Sequence, residues 1–444
     1  MKKTLFAAAL LLAAAFSANA QFGKWQASEV KKVKDEQTGV ELNILTDTQK
    51  NDRFIYQTDP MWTPSGKYLL FRSSSRGGQE MERTTPDGRT VKYSPTYYYF
   101  IEVATGRTIQ ATDESVGSVY LSNVEDKMWV NRREGEDWTM YVMDLTKFFA
   151  DAGRNRVKKI DDYLTYVGKF PNSEEMGRPG GWCVNSDDTY AYITVSRNVM
   201  PTEEELAIQE KVAQKPREDQ PVKVGQGMSG LRKMNLKTGE VSFIRNVPFR
   251  VGHIQCSRYK PNEILFCCET GGDAGQRMWY CDANTNEYKP LYKETPLDWV
   301  THETFGTEDY VYFNVLGWQD RLRKQASGIF RINLRTDDVE VIGQVEMDMD
   351  RESSLKGRGF WHCNSTRDNR FAAGDTFAGS IWVVDVETGY KFQIASDIKM
   401  APDHGHPFFS PDGTKLCFQS GHYSDGKRLN LMMVDLTKLP FYHK

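Results

Sequence analysis

Four of the chain's seven histidines recur at one position of a repeated segment. The cleanest copy of that segment reads His406-Pro407-Phe408-Phe409-Ser410-Pro411-Asp412-Gly413. Laid over it, His253 in GHIQCSRYKPNEI, His302 in THETFGTED and His362 in WHCNSTRDN fall at the place of His406. An imidazole can move a proton near neutral pH or offer a nitrogen to a metal. His404 stands two residues before His406, and along a strand residues i and i+2 share a face, so both rings could reach one ion. His302 could add a third nitrogen from another repeat. Three imidazoles with open coordination positions suit a catalytic transition metal better than a closed structural site. The competing reading is a set of hydrogen-bonded structural histidines. Asp59, Glu269, Glu303 and Asp403 lie close by in sequence. Strand alternation predicts that Glu303 and Asp403 point away from their neighbouring histidines, where carboxylates can orient imidazoles.

Equivalent positions meet only if the repeats surround a common axis. Each unit has a register residue, a strand, a turn like Ser-Pro-Asp-Gly, an apolar strand, and a later strand ending in Asp-Leu or Thr-Gly. Copies start near Asp59, Ser118, Gly181, His253, His302, His362 and His406, which makes seven. Turn chemistry at fixed offsets between apolar strands is the signature of propeller blades, whose innermost strands line one channel. The expected architecture is therefore all-β: a single-domain, seven-bladed β-propeller over residues 21–444. The segment GVELNILTDTQ precedes the first full copy, and the last copy runs almost to Lys444. The N-terminal segment is thus placed to complete the last blade and remove open sheet edges. Insertions at 77–96 and 199–228 interrupt the first and third blades. They read as solvated flaps or as walls of a cleft above the channel.

Residues 1–20 read as a secretory signal peptide, with Lys2 and Lys3, an apolar run from Leu5 to Phe16, and Ser17-Ala18-Asn19-Ala20 as a cleavage site. The apolar run is too short to span a bilayer, so the expectation is a secreted, periplasmic protein without a membrane span. The formal net charge is −3 and grows more negative without the two leader lysines, which argues against a nucleic-acid partner. Seven cysteines cannot all pair within one chain, and most lie in apolar strand-like runs, where a buried thiol is the expected state. No Gly-x-Ser-x-Gly elbow, phosphate-cradling loop or His-Glu-x-x-His helix occurs. Trp182, Trp299, Trp318 and Trp361 could stack on sugars, but inter-blade core is the ordinary use of such residues, and Trp361 is expected in the blade packing.

These motifs resemble oligogalacturonate lyases, seven-bladed propellers that degrade short pectin fragments. The resemblance covers nearly the whole mature chain: TGVELNILTDTQ and YLLFRSSSRGG, then LKTGE, VGHIQ, CCETGG with QRMW, THETF, and HGHPFFSPDGTKLCF. It implies a divalent cation, Mn²⁺ foremost, on His302, His404 and His406, with His253 as a catalytic residue. The family's glutamine ligand falls at Ala401 and its catalytic arginine at Gly230. Arg232, two residues along the same face, is the candidate replacement.

The activity so implied is metal-assisted β-elimination on a uronic-acid oligosaccharide, leaving a 4,5-unsaturated product. His253 would be the base, and His362, Arg277 and Arg178 would contact the acidic substrate, the arginines as bidentate forks. A non-catalytic propeller that binds acidic glycans or a protein partner is the rival reading. A glycoside hydrolase would need two carboxylates about 5–10 Å apart.

Overall fold

A computed structural model of the chain describes residues 21–77, 81–84, 89–135, 137–197, 202–203, 207, 228–322, 326–345 and 359–443. The leader expected at 1–20 lies outside them. Seven sheets follow one another in chain order, and the first strands of successive sheets pack side by side around a central channel. Blades two to six have four antiparallel strands each. Their innermost strands are Val116–Leu121, Arg178–Val184, Val251–Cys256, Val300–Phe305 and Phe360–Ser365. Blade one is built from Asp52–Arg53, Tyr68–Ser73, Tyr97–Glu102 and Thr108–Gln110, with a Trp62–Leu69 bridge at its inner edge.

The last blade closes the ring as the sequence predicts. Phe408–Phe409, Lys415–Ser420 and Asn430–Asp435 come from the C-terminal end, and Glu41–Ile44 and Lys31–Lys34 from the N-terminal end add the two outer strands. Asn43 pairs with Met433 and Ile44 with Met432. Because the two ends of the chain share one sheet, no inner blade presents an unpaired edge at the seam.

The turn after each innermost strand explains the recurring motif. Ser410 Oγ accepts from the Lys415 N–H at 2.9 Å, Asp412 Oδ1 accepts from the Thr414 N–H at 3.1 Å, and Gly413 sits at φ 68°. Gly66, Asp188 and Asn369 take the same left-handed place in other blades, residue types that tolerate it best. The apolar core lies between blades. Buried clusters join blades one and two, two through four, four and five, five and six, six and seven, and seven and one. One element was not read from the sequence: the helix Leu145–Ala152, capped by Asp144, which buries Phe148 and Phe149 against blade one.

Both insertions leave from the end of a second strand, the same end at which the innermost strands begin. The first is in part a hairpin, Met81–Thr84 with Thr90–Tyr93. The second lies outside the described residues except for Thr202, Glu203 and Ala207, but its flanks, Arg197 and Met228, are at that mouth.

Ile44 is 2% exposed and belongs to the cluster that joins the last two blades. Ile44→Ala is therefore expected to cost about 2–5 kcal/mol, read as a lower denaturant midpoint. A loss no larger than that of Val124→Ala, at a position 53% exposed, would argue against closure through this strand.

Candidate functional site

The register histidines owe their placement to a backbone irregularity near the start of the innermost strands. Pairing slips between Gly252 and Gln255, between Thr301 and Thr304, and between Phe360 and His362. His253, His302 and His406 adopt left-handed backbone, φ 47°, 53° and 47°. A β-bulge re-aims a side chain, and here it turns the imidazoles toward the channel. The rings of His302 and His362 are 3.9 Å apart between centroids, His362 and His406 4.2 Å, His362 and His404 5.3 Å, and His404 and His406 6.2 Å. His362 thus stands among the three residues expected to hold a metal.

Each ring is steered by a different partner. His362 Nδ1 contacts both oxygens of Asp375 at 3.0 and 3.1 Å, and Asp375 also accepts from the backbone N–H groups of His362 and His406. His406 Nε2 faces Asp403 Oδ1 at 3.4 Å, so Asp403 orients an imidazole. Glu303 does not orient His302, whose Nδ1 meets the Trp361 carbonyl. Glu303 instead accepts from Arg277 Nε at 3.0 Å. His253 Nε2 lies 3.3 Å from Glu269. Burial holds the His302 and His362 imidazoles well below their usual range, and neighbouring imidazoles push the same way. Burial also lowers His404, against the pull of Asp375. These three rings are therefore neutral, with lone pairs available at neutral pH.

Several placements differ from the sequence reading. Trp361 does not join the blade packing; its ring lies 4.5 Å from His302 and 5.7 Å from His404. Trp182, by contrast, is core as expected, 9% exposed, with Nε1 donating to Ser118. Arg277 is buried, and its guanidinium is committed to Glu303, with Glu269 3.9 Å away, so it serves as their counter-charge rather than as an open fork for a substrate. Arg232 is fully buried and donates to the carbonyls of Leu231, Arg245 and Glu175 and to Asn246. It folds over Gly230, where an added Cβ would lie 2.6 Å from its Nη1. Those bonds commit both of its terminal nitrogens inside blade three and hold it away from the imidazoles. Arg178 is exposed. It lines a cleft of about 560 Å³ with Arg133, Glu174 and Trp138. Blade three carries the same bulge, between Pro179 and Trp182, so this cleft opens at the histidine mouth.

Tyr56 escaped the sequence reading. Its ring lies 5.0 Å from His253, 5.1 Å from His406 and 6.3 Å from His362, at the middle of the group. Among the described residues its buried hydroxyl has no hydrogen-bond partner of good geometry, and burial, reinforced by Glu303, keeps it protonated. Two buried amides hold its segment in the channel: the Phe54 N–H donates to Gln419, and Asn364 donates to the Gln57 carbonyl. Asp375 was also missed, although it directly opposes His362 across two strands. The seven cysteines are all buried and unpaired, as expected.

The donor set suits a divalent cation in kind. His404 Nδ1 is buried without a hydrogen-bond partner among the described residues, and His302 has Nε2 left over. Position 401 adds nothing, because Ala401 is exposed and lies against Gly421 and Gly426; His362 instead brings an imidazole among His302, His404 and His406. His302, His362, His404 and His406 pack ring on ring, so their nitrogens would have to swing together to share an ion. Among the described residues, the ligand-type atoms that do lie within 4.8 Å of one another belong to His253, Cys267 and Glu269. No helix among them is long and apolar enough to cross a membrane.

Asp59, beside His253, Arg72 and Arg258, is pushed up to about 7 by burial despite their pull. A raised folded-state pKa gives stability that is full below the unfolded value near 3.8 and is lost as pH rises through about 7. Asp59→Asn is therefore expected to raise the unfolding midpoint at pH 8, with the gain shrinking as pH falls from 7 toward about 4. A gain that does not vary with pH would contradict this environment for Asp59.

No family model and no curated protein matches the chain. Solved structures do. An oligogalacturonate lyase in complex with manganese aligns over 94% of this chain and 98% of its own, at 20% identity and a TM-score of 0.67. An oligogalacturonate lyase from Vibrio parahaemolyticus aligns over 95% of this chain and 100% of its own, at 17% identity and a TM-score of 0.66. By fold, then, this chain is a seven-bladed β-propeller that aligns over nearly its whole length with oligogalacturonate lyase structures.

Proposed function

We propose that the protein is a polysaccharide lyase that cleaves short uronic-acid oligosaccharides by β-elimination, acting outside the cytoplasm if residues 1–20 direct export. The observation that carries this reading is the convergence of imidazoles from four blades around Tyr56, at one mouth of a propeller that aligns end to end with lyase structures.

His253 is the proton acceptor. The hydrogen bond to His253 and the nearby Arg277 bring the Glu269 carboxyl down to about 2, so Glu269 is ionised at neutral pH. An ionised Glu269 draws the ring proton to His253 Nε2 and leaves the Nδ1 lone pair free. Glu269 is itself held by the Gly271 N–H at 2.6 Å. His253 Nδ1 then takes the C5 proton of a uronate, the electron pair forms the C4=C5 bond, and the C4–O4 bond breaks as O4 takes up a proton. Tyr56, whose hydroxyl stays protonated, can donate a hydrogen bond to a sugar oxygen at the centre of the group. A divalent ion held by His302, His404 and His406, with His362 beside them, would place positive charge on the C6 carboxylate and acidify C5–H. Arg178 and Arg133 offer two cations to a further carboxylate along an acidic chain.

The non-catalytic reading draws on two observations, the enclosure of Arg232 and the outward turn of position 401. One assay separates the readings, because elimination creates a conjugated, ultraviolet-absorbing product and binding does not. Oligogalacturonides with Mn²⁺ are expected to give rising absorbance, and His253→Ala to slow it by about 10²–10⁴-fold. No rise with galacturonate or glucuronate oligosaccharides would sink the lyase reading. Arg178→Ala should raise KM while leaving kcat near its starting value, the pattern of lost uniform binding. A fall in kcat alone would place Arg178 elsewhere.

A further inference from the structure

Behind His253 lies a second set of ligand atoms. Its Nε2 is 3.3 Å from Glu269 Oε2, and Cys267 Sγ is 3.8 Å from the same oxygen. A tetrahedral ion with bonds of roughly 2.0–2.3 Å keeps its ligands about 3.3–3.8 Å apart; both distances to Glu269 Oε2 match that spacing, and all three ligand atoms lie within 4.8 Å of one another. Space is reserved at this point. A Cβ on Gly252 would lie 3.1 Å from Cys267 Sγ, 3.1 Å from Glu269 Oε2 and 2.9 Å from Glu269 Cβ. Gly252 is not at positive φ, so its lack of a side chain keeps room rather than relieving torsion.

We infer that His253, Cys267 and Glu269 form a binding site for a thiophilic divalent cation such as Zn²⁺ or Co²⁺, distinct from the cluster of His302, His404 and His406. Sulfur, imidazole and carboxylate together favour such ions over Mn²⁺ or Mg²⁺. Three protein ligands leave one position open, and the His253 side chain, 27% exposed, gives solvent access to it. Charge balances as well. A thiolate and a carboxylate match the dication, while the nearby Arg277 guanidinium is paired with Glu303. Binding releases the Cys267 thiol proton to solvent, as metal coordination of a thiol does.

The site has a regulatory consequence, and this part rests on the lyase reading. An ion on His253 Nε2 requires the ring proton on Nδ1, and that removes the lone pair assigned to C5–H abstraction. Zn²⁺ would therefore switch the enzyme off through the same residue that does the chemistry.

Cobalt reports thiolate ligation directly. Metal-stripped full-length protein titrated with Co²⁺ is expected to show a near-ultraviolet sulfur-to-cobalt charge-transfer band that His404→Ala retains and Cys267→Ser loses. Gly252→Val, which fills the space without replacing a ligand, should also lose it, each variant being checked for native circular dichroism. Absence of the band in the parent protein, or its survival in Cys267→Ser, overturns the site. With an active enzyme, Zn²⁺ should inhibit the parent at least tenfold more strongly than Cys267→Ser; equal inhibition overturns the regulatory role. Should no uronide be cleaved, the cobalt band still decides the site.

Discussion

A left-handed residue at the bulge of an innermost strand is the constraint from which the channel chemistry follows. In a regular strand, side chains near His253, His302 and His406 would alternate between the two faces of the blade and pack against neighbouring blades. The bulge breaks that alternation once, at the same place in several blades, and turns a ring toward the axis. For a non-glycine residue the left-handed conformation costs about 1–2 kcal/mol. Three histidines bear that cost in this one chain. Blade three places Gly180 and Gly181 at the equivalent bulge and sends no ring inward, which leaves the channel open on the side of the arginine-lined cleft.

Around the imidazoles the charges are arranged so that few are left without a partner. Arg277 sits between Glu269 and Glu303 and sets one guanidinium against two carboxylates next to the channel. Asp375 ties His362 to the backbone of His406 and so links blades six and seven. The same logic explains why Arg232 is confined to blade three: burial drops its pKa to about 10, with Arg197 pushing the same way, and the carbonyls around it are what make a buried guanidinium tolerable. Among the buried polar atoms without a hydrogen-bond partner in the described residues, the Tyr56 hydroxyl and His404 Nδ1 belong to the imidazole group itself.

Much of this was legible in the chain because repetition carries its own alignment. The turn around Ser410 and Asp412 recurs at fixed offsets, so blade number and the common register of four histidines could be read without coordinates, as could closure through the segment that holds Ile44. What could not be read were contacts between segments with no repeat partner. Tyr56 belongs to the stretch between Asp52–Arg53 and the Trp62 bridge, at the inner edge of blade one, and has no counterpart in the other repeats. Trp361 looked like core because strand alternation points it away from His362, and the slip between Phe360 and His362 undoes that alternation.

Residue order alone determined the β class, seven blades, the seam, and which histidines are equivalent, since local periodicity and turn chemistry encode those. The tertiary structure decided which side chains fill the channel and which guanidinium faces a ligand. Those outcomes depend on the depth at which each strand slips and on which buried charge finds a counter-ion first, and both are properties of the closed ring rather than of any one repeat.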